Sequence, residues 1–131
     1  MTKQYYKIVR DNIPDILDKN ENVESYKIDF IKNSKQFLEM LVQKLVEEAM
    51  ELKEELELTD EIPLDELVDV IEVVNKLKHE SRFDSLQIEE ARKEKARKNG
   101  AFDTGTILLS VTDKDNDEPV ELNENQQEGQ Q

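Results

Sequence analysis

Residues 34–77, SKQFLEMLVQKLVEEAMELKEELELTDEIPLDELVDVIEVVNKL, decide the fold. From Ser34 to about Leu58, Phe37, Leu38, Leu41, Leu45, Leu52 and Leu56 recur at threes and fours, the period of a helix with one apolar face. Ser34 stands where an N-cap belongs. Asp60-Glu61-Ile62-Pro63 punctuates this helix, and a second begins near Pro63, because proline suits a first helical turn. Its stripe is Leu64, Leu67, Val70, Ile71, Val74 and Leu77, and it is expected to end near His79 or Ser81. So short a connection implies that the two helices pack antiparallel.

Working outward, a third helix is expected from about Asp84 to Lys98, stopped by Asn99-Gly100 as a left-handed terminator. Its last turns hold Arg92, Lys93, Lys95, Arg97 and Lys98, which also suit the negative end of a helix dipole. Before residue 34 come a short helix, from about Arg10 to Lys19 with Pro14 in its first turns, and an extended segment, Val23 to Phe30. After the third helix, Thr104 to Val111 contains the β-prone run Thr106-Ile107-Leu108-Leu109. Two lone strands are marginal, so these are expected to pair as a small two-stranded ribbon against the helices. From Asp113 onward the chain holds seven acids against one lysine and almost nothing apolar, too little to offset its ordering entropy. The expectation is a mainly α protein: one antiparallel helical domain over residues 1–112 and a disordered acidic tail over 113–131.

Composition narrows the functions. A chain of 131 residues has room for one modest core, or for a subunit that completes its core by oligomerising. The formal net charge of −14 argues against a nucleic-acid polymer or an anionic membrane as partner, since both are repelled at long range. With no cysteine there is neither a disulfide framework nor a thiolate zinc site. The opening MTKQYYKIVRDN lacks an apolar h-region and no long apolar run follows, so a cytoplasmic location is expected.

Chemistry is carried by acids. Glu48 and Glu51, then Glu66 and Asp69, form two i, i+3 pairs. On a helical wheel Leu41, Leu52 and Leu45 fall roughly 20° to 60° to one side of Glu48, with Glu51 about 60° to the other. The second helix repeats the layout, with Leu77, Val70 and Val74 on one side of Glu66 and Asp69 on the other. Antiparallel packing brings both acidic edges to one place beside the core. Uncompensated carboxylates there lose hydration and repel, so some are protonated or a divalent ion neutralises them. Oxygen-only ligation suits Mg²⁺ or Mn²⁺. In a chain with 32 acidic residues most i, i+3 acids are simply solvated faces, and Glu54, Glu55, Glu57, Glu61, Glu89 and Glu90 are read that way.

KLVEEAMEL at 44–52 followed by ELVDV at 66–70 resembles the paired E-x-x-E and E-x-x-D motif of the MazG-like all-α nucleoside triphosphate pyrophosphohydrolases, and the gap of 14 residues suits that family. KIVRDNIPDIL at 7–17 resembles the KLVRDKIP-type opening of its phosphoribosyl-ATP pyrophosphohydrolase-like branch. Arg92 to Phe102 resembles that branch's C-terminal lysine-rich helix, glycine and phenylalanine. The likeness spans roughly residues 5 to 110. It implies a hydrolase that cuts a nucleotide between its α- and β-phosphates, giving a monophosphate and pyrophosphate, with Mg²⁺ as usual cofactor. Carried over by position, Glu48, Glu51, Glu66 and Asp69 hold the metals. Glu47 either orients or deprotonates the attacking water, or is a surface acid.

An acidic protein also needs local cations to receive a polyphosphate. Lys7 and Arg10, with Arg92, Lys95 and Lys98, are the best basic sets, although Lys95 and Lys98 also suit an ordinary helix end. Asn75 is a candidate for sugar or base contact. Phe102 is expected in the core, His79 at a helix end or on the surface, and the tyrosines are too scattered for a nucleic-acid stacking platform. The preferred expectation is a Mg²⁺-dependent pyrophosphohydrolase of noncanonical or deoxy nucleotides, working as a homodimer or homotetramer. Its alternatives are phosphoribosyl-ATP cleavage in histidine biosynthesis, and a non-enzymatic acidic helical adaptor or nucleic-acid mimic.

Overall fold

In the computed structural model, which describes residues 1–115 and Glu121, the chain is mainly helical, with four helices and no strand among the described residues. Helix α1, Ile13–Asp18, has proline near its start and is shorter than expected. Helix α2 runs Ser34–Thr59. Its cap is Asn33 and not Ser34: extended backbone at Asn33 lets its side chain accept from the Gln36 N–H at 3.0 Å. Asp60 closes α2 in the left-handed region at φ 63, its N–H donating to the Leu56 carbonyl. Helix α3, Leu64–Glu80, follows Pro63; Asp65 and Glu66 in its first turn and Lys78 and His79 in its last oppose the helix dipole favourably. Helix α4, Ser85–Asn99, stops at Gly100, whose φ of 89 is the left-handed terminator expected there. No helix among the described residues is long and apolar enough to cross a membrane.

The chain divides into two units, Met1–Asp84 and Ser85–Gln131. In the first, α2 packs on α3. The pair is antiparallel, because Lys76 near the end of α3 lies over the Phe37 ring near the start of α2, 5.7 Å from its centroid. Met40, Leu41 and Val73 are its buried apolar residues, and Glu48 is buried with them at 6% exposure. Leu41 lies about 20° from Glu48 on the wheel of α2, and Val73 about 20° from Glu66 on that of α3. The line of contact therefore runs through the acidic positions, where the sequence had placed it to one side. The expected stripes are correspondingly left half open: Leu38, Leu56, Leu64, Leu67, Ile71 and Val74 are all exposed. One neighbouring helix covers one seam, which is narrower than a stripe of about 100°.

In the second unit α4 buries no residue. Two expectations fail here. Phe102 is not a core residue: it is 96% exposed, at a left-handed φ of 70, and α4 offers no interior for the ring to enter. The two-stranded ribbon does not form either, since Val23 to Phe30 and Thr104 to Val111 are both irregular. Strand propensity fixes nothing unless a ladder satisfies the backbone N–H and C=O groups, and neither segment has one. Most of the expected acidic tail, residues 116–120 and 122–131, lies outside the described residues.

Candidate metal and phosphate site

About four turns into α2 and one turn into α3, the acids meet. Glu47, Glu48 and Glu51 offer oxygens within 4.8 Å of one another, and so do Glu48, Glu66 and Asp69. Glu48 belongs to both groups. The i, i+3 spacing puts each pair on one helix edge, and the tight Asp60 to Pro63 connection brings the edges together.

Charge is only partly balanced. Lys44, one turn before the acids on α2 and 16% exposed in its side chain, lies 3.2 Å from Glu48 Oε2 and 3.4 Å from Glu47 Oε2. Lys7 donates to the same Glu47 Oε2 at 3.1 Å. Arg10 Nη2 donates to Asp69 Oδ1 at 2.7 Å. Glu48 Oε1 and Glu66 Oε1 are buried with no hydrogen-bond partner in the protein. A buried carboxylate oxygen without a donor is costly unless a cation meets it.

The proton affinities follow this asymmetry. Burial raises Glu51 from its ordinary value, and the neighbouring charges of Glu48, Glu47 and Glu66 push the same way. Glu66 is raised by burial and then by Asp69 and Glu48. For Glu47 burial also acts upward, but the hydrogen bond from Lys7 and the charges of Lys44 and Lys7 together outweigh it, and its carboxyl lies below the ordinary value. Glu47 thus has cationic partners at hand, whereas burial and like charge act together on Glu51 and Glu66.

Beside the acids is a cavity of about 190 Å³ lined by Lys7, Val9, Arg10, Ile13, Lys44, Glu48 and Asp69. It is bounded by the segment leading into α1 and by α2 and α3. The donor set passes the test for a hard divalent cation: all oxygens, drawn from two helices, two of them buried and unpartnered. Such ions could be held by Glu48 with Glu66 and Asp69, and by Glu48 with Glu47 and Glu51.

Of the sequence-predicted residues, these five acids, Lys7 and Arg10 come together in the first unit. Asn75 is exposed, nearly two turns beyond Asp69 on α3. Arg92, Lys95 and Lys98 belong to α4 in the second unit, where Arg92 Nη2 pairs with Glu89 Oε2 at 2.6 Å. Lys44 was missed. Its signal was legible as a lysine three and four residues before Glu47 and Glu48, the spacing of helical ion pairs. No protein-family model matches the chain, and no curated protein or solved structure matches it either.

Proposed function

We propose that this chain is a divalent-cation-dependent nucleotide pyrophosphohydrolase, cleaving the α–β phosphoanhydride of a nucleoside triphosphate to a monophosphate and pyrophosphate. One observation carries the reading: two buried, unpartnered carboxylate oxygens, on Glu48 and Glu66, converge beside a cavity walled by Lys7, Arg10 and Lys44. Anion and cation receptors thus lie side by side, as a metal-bound polyphosphate requires. A nucleic-acid mimic needs neither a buried acid nor an adjoining basic wall.

Magnesium held by Glu48, Glu51, Glu66 and Asp69 would supply neutralisation of phosphate charge and acidification of water. The chain's own residues do the rest. Glu47, kept ionised by Lys7 and Lys44, accepts a hydrogen bond from the attacking water and orients it. Lys7 and Arg10 bind phosphate oxygens, Arg10 with the planar fork that matches them. Water attacks the α-phosphorus and passes its proton to Glu47, the bond from that phosphorus to the α–β bridging oxygen breaks, and pyrophosphate leaves with the bridging oxygen.

A second copy of the chain is part of this reading. Leu38, Val42, Val46 and Met50 make an exposed ridge along α2, and Leu64, Val68 and Ile71 another on α3. Such ridges suit helix packing in a homodimer or homotetramer. The function is tested by pyrophosphate release over a panel of canonical, deoxy and noncanonical triphosphates and phosphoribosyl-ATP, with and without Mg²⁺. Mg²⁺-dependent release from free triphosphates is expected. Turnover of phosphoribosyl-ATP alone would replace the substrate class, and no release from any member would overturn the reading.

A further inference from the structure

The cations that wall the cavity are already engaged. Arg10 is bonded to Asp69 Oδ1, and Lys7 and Lys44 share Glu47 Oε2. Glu48, in contrast, is 6% exposed and keeps Oε1 free of any partner in the protein, as does Glu66. The acidic group is therefore half open and half held by the chain's own basic side chains. The two halves cannot be used independently. A guanidinium and a divalent ion on one carboxylate repel each other at close range, so strong engagement of Asp69 by one weakens its engagement by the other.

The two members of the Arg10–Asp69 pair differ in how firmly they are fixed. Asp69 stands on a helix. Arg10 stands on irregular backbone before α1, and its side chain is 53% exposed, so its head group moves without a large change in hydration. The backbone around it is tied independently: Tyr6 Oη accepts from Gln36 Nε2 at 2.8 Å, and the Arg10 carbonyl accepts from the Ile13 N–H at 3.1 Å. The guanidinium can thus leave Asp69 while the segment stays in place. The cavity it lines beside Lys7 and Lys44 then offers an anion one unpaired cation, with two more at its wall.

We propose that Arg10 is an exchangeable placeholder on Asp69: a divalent cation entering between Glu48, Glu66 and Asp69 displaces its guanidinium, which then grips a phosphate group in the adjoining cavity. This rests on the metal-dependent reading above and adds a regulation to it, because loading of the cation arms the phosphate site. A polyphosphate arriving without a divalent ion meets basic groups still occupied by carboxylates. One arriving with it meets Arg10 released. The exchange makes no covalent change; two ion pairs replace one.

Opposite signs in one variant test the exchange. Calorimetric titration of the full-length chain with Mn²⁺ alone is expected to show Arg10→Met binding the metal about two- to fivefold more tightly than wild type, the worth of a half-exposed ion pair. Titration with the manganese complex of inorganic pyrophosphate is expected to show the same variant about tenfold weaker, from loss of charge-assisted hydrogen bonds. Arg10→Lys keeps the charge and is expected to fall between the two in both titrations. As a converse, Asp69→Asn frees Arg10 and is expected to bind pyrophosphate in metal-free buffer more tightly than wild type; circular dichroism confirms that each variant folds. Unchanged or weakened Mn²⁺ affinity in Arg10→Met, or unchanged pyrophosphate affinity, overturns the exchange while leaving the metal-dependent reading standing. A wild-type chain that binds no Mn²⁺ overturns both.

Discussion

Helix α4 and the seam between α2 and α3 are both rich in charge, yet they handle it in opposite ways. On α4 the acids answer to their own helix: Glu89 pairs with Arg92 and Glu94 with Arg97 at i, i+3 spacing, on surfaces that face water. In the seam the acids come from two helices, Glu48 is drawn under the surface, and oxygens are left without donors. The i, i+3 spacing recurs, but on α4 it joins an acid to an arginine and in the seam an acid to an acid. What differs is the apolar neighbour: Leu41 and Val73 pull Glu48 and Glu66 toward a packing interface, and α4 buries no residue. Acids at helical spacing acquire chemical meaning only where hydrophobic burial makes water an insufficient partner.

The contrast breaks first, if it breaks, under neutral substitution. Glu48→Gln is expected to cut pyrophosphate release by at least about a hundredfold while leaving the helical circular-dichroism signal in place, because an oxygen ligand and its charge are lost with little change of volume. Glu94→Gln, on the exposed helix, is expected to keep the wild-type rate. Equal rates in Glu48→Gln and wild type would reduce the seam to another solvated surface.

Next in size is the response to metal. A cation present at about a hundred times its dissociation constant stabilises the folded state by roughly 2.7 kcal/mol, so millimolar Mg²⁺ or Mn²⁺ is expected to raise the melting midpoint of wild type and of Glu94→Gln alike. Glu66→Gln is expected to lose that rise. A rise that survives in Glu66→Gln would move the cation elsewhere.

Smaller still is the dependence on pH in metal-free buffer, and here the two regions carry opposite signs. Glu51 and Glu66 have folded values raised above the ordinary 4.5, so their contribution is fully present below that value and is lost as pH rises through the raised one. Glu94 is lowered by its hydrogen bond from Arg97, so its contribution is present above 4.5 and lost as pH falls through the lowered value. Thermal melts are expected to show Glu51→Gln more stable than wild type at neutral pH, the gap closing as pH drops toward 4.5. For Glu94→Gln the neutral gap is expected to have the other sign and to be the smallest effect of the set, since exposed pairs stabilise weakly.

Much of this was legible in the chain itself, for reasons that can be named. Helix positions follow from the three-and-four recurrence of Leu38, Leu41, Leu45 and Leu52 and from breakers at Pro63 and Gly100, all local features. The meeting of Glu48 with Glu66 and Asp69 was readable because a four-residue connection leaves an antiparallel hairpin as the simple outcome. What failed was tertiary. Asn33 displaced Ser34 as cap because either side chain satisfies an orphan N–H and backbone geometry chooses between them. Val73 lay outside the expected stripe because the rotation of α3 about its axis is set by its neighbour. Phe102 and the run Thr106 to Leu109 were judged on residue type alone, and aromatic or β-branched character buries nothing without a surface to bury against.

The reversal at Asp60 has a consequence for how such a chain can change. With α2 closed by a left-handed residue and only Glu61, Ile62 and Pro63 before α3, the tether has almost no slack. Deleting one residue there forces α3 either to unwind its start or to rotate by about 100°, which carries Glu66 and Asp69 away from Glu48 together. Ligand spacing in this hairpin is therefore governed by loop length as much as by the ligands, and lineages could retune it through insertions and deletions at a corner that touches none of them.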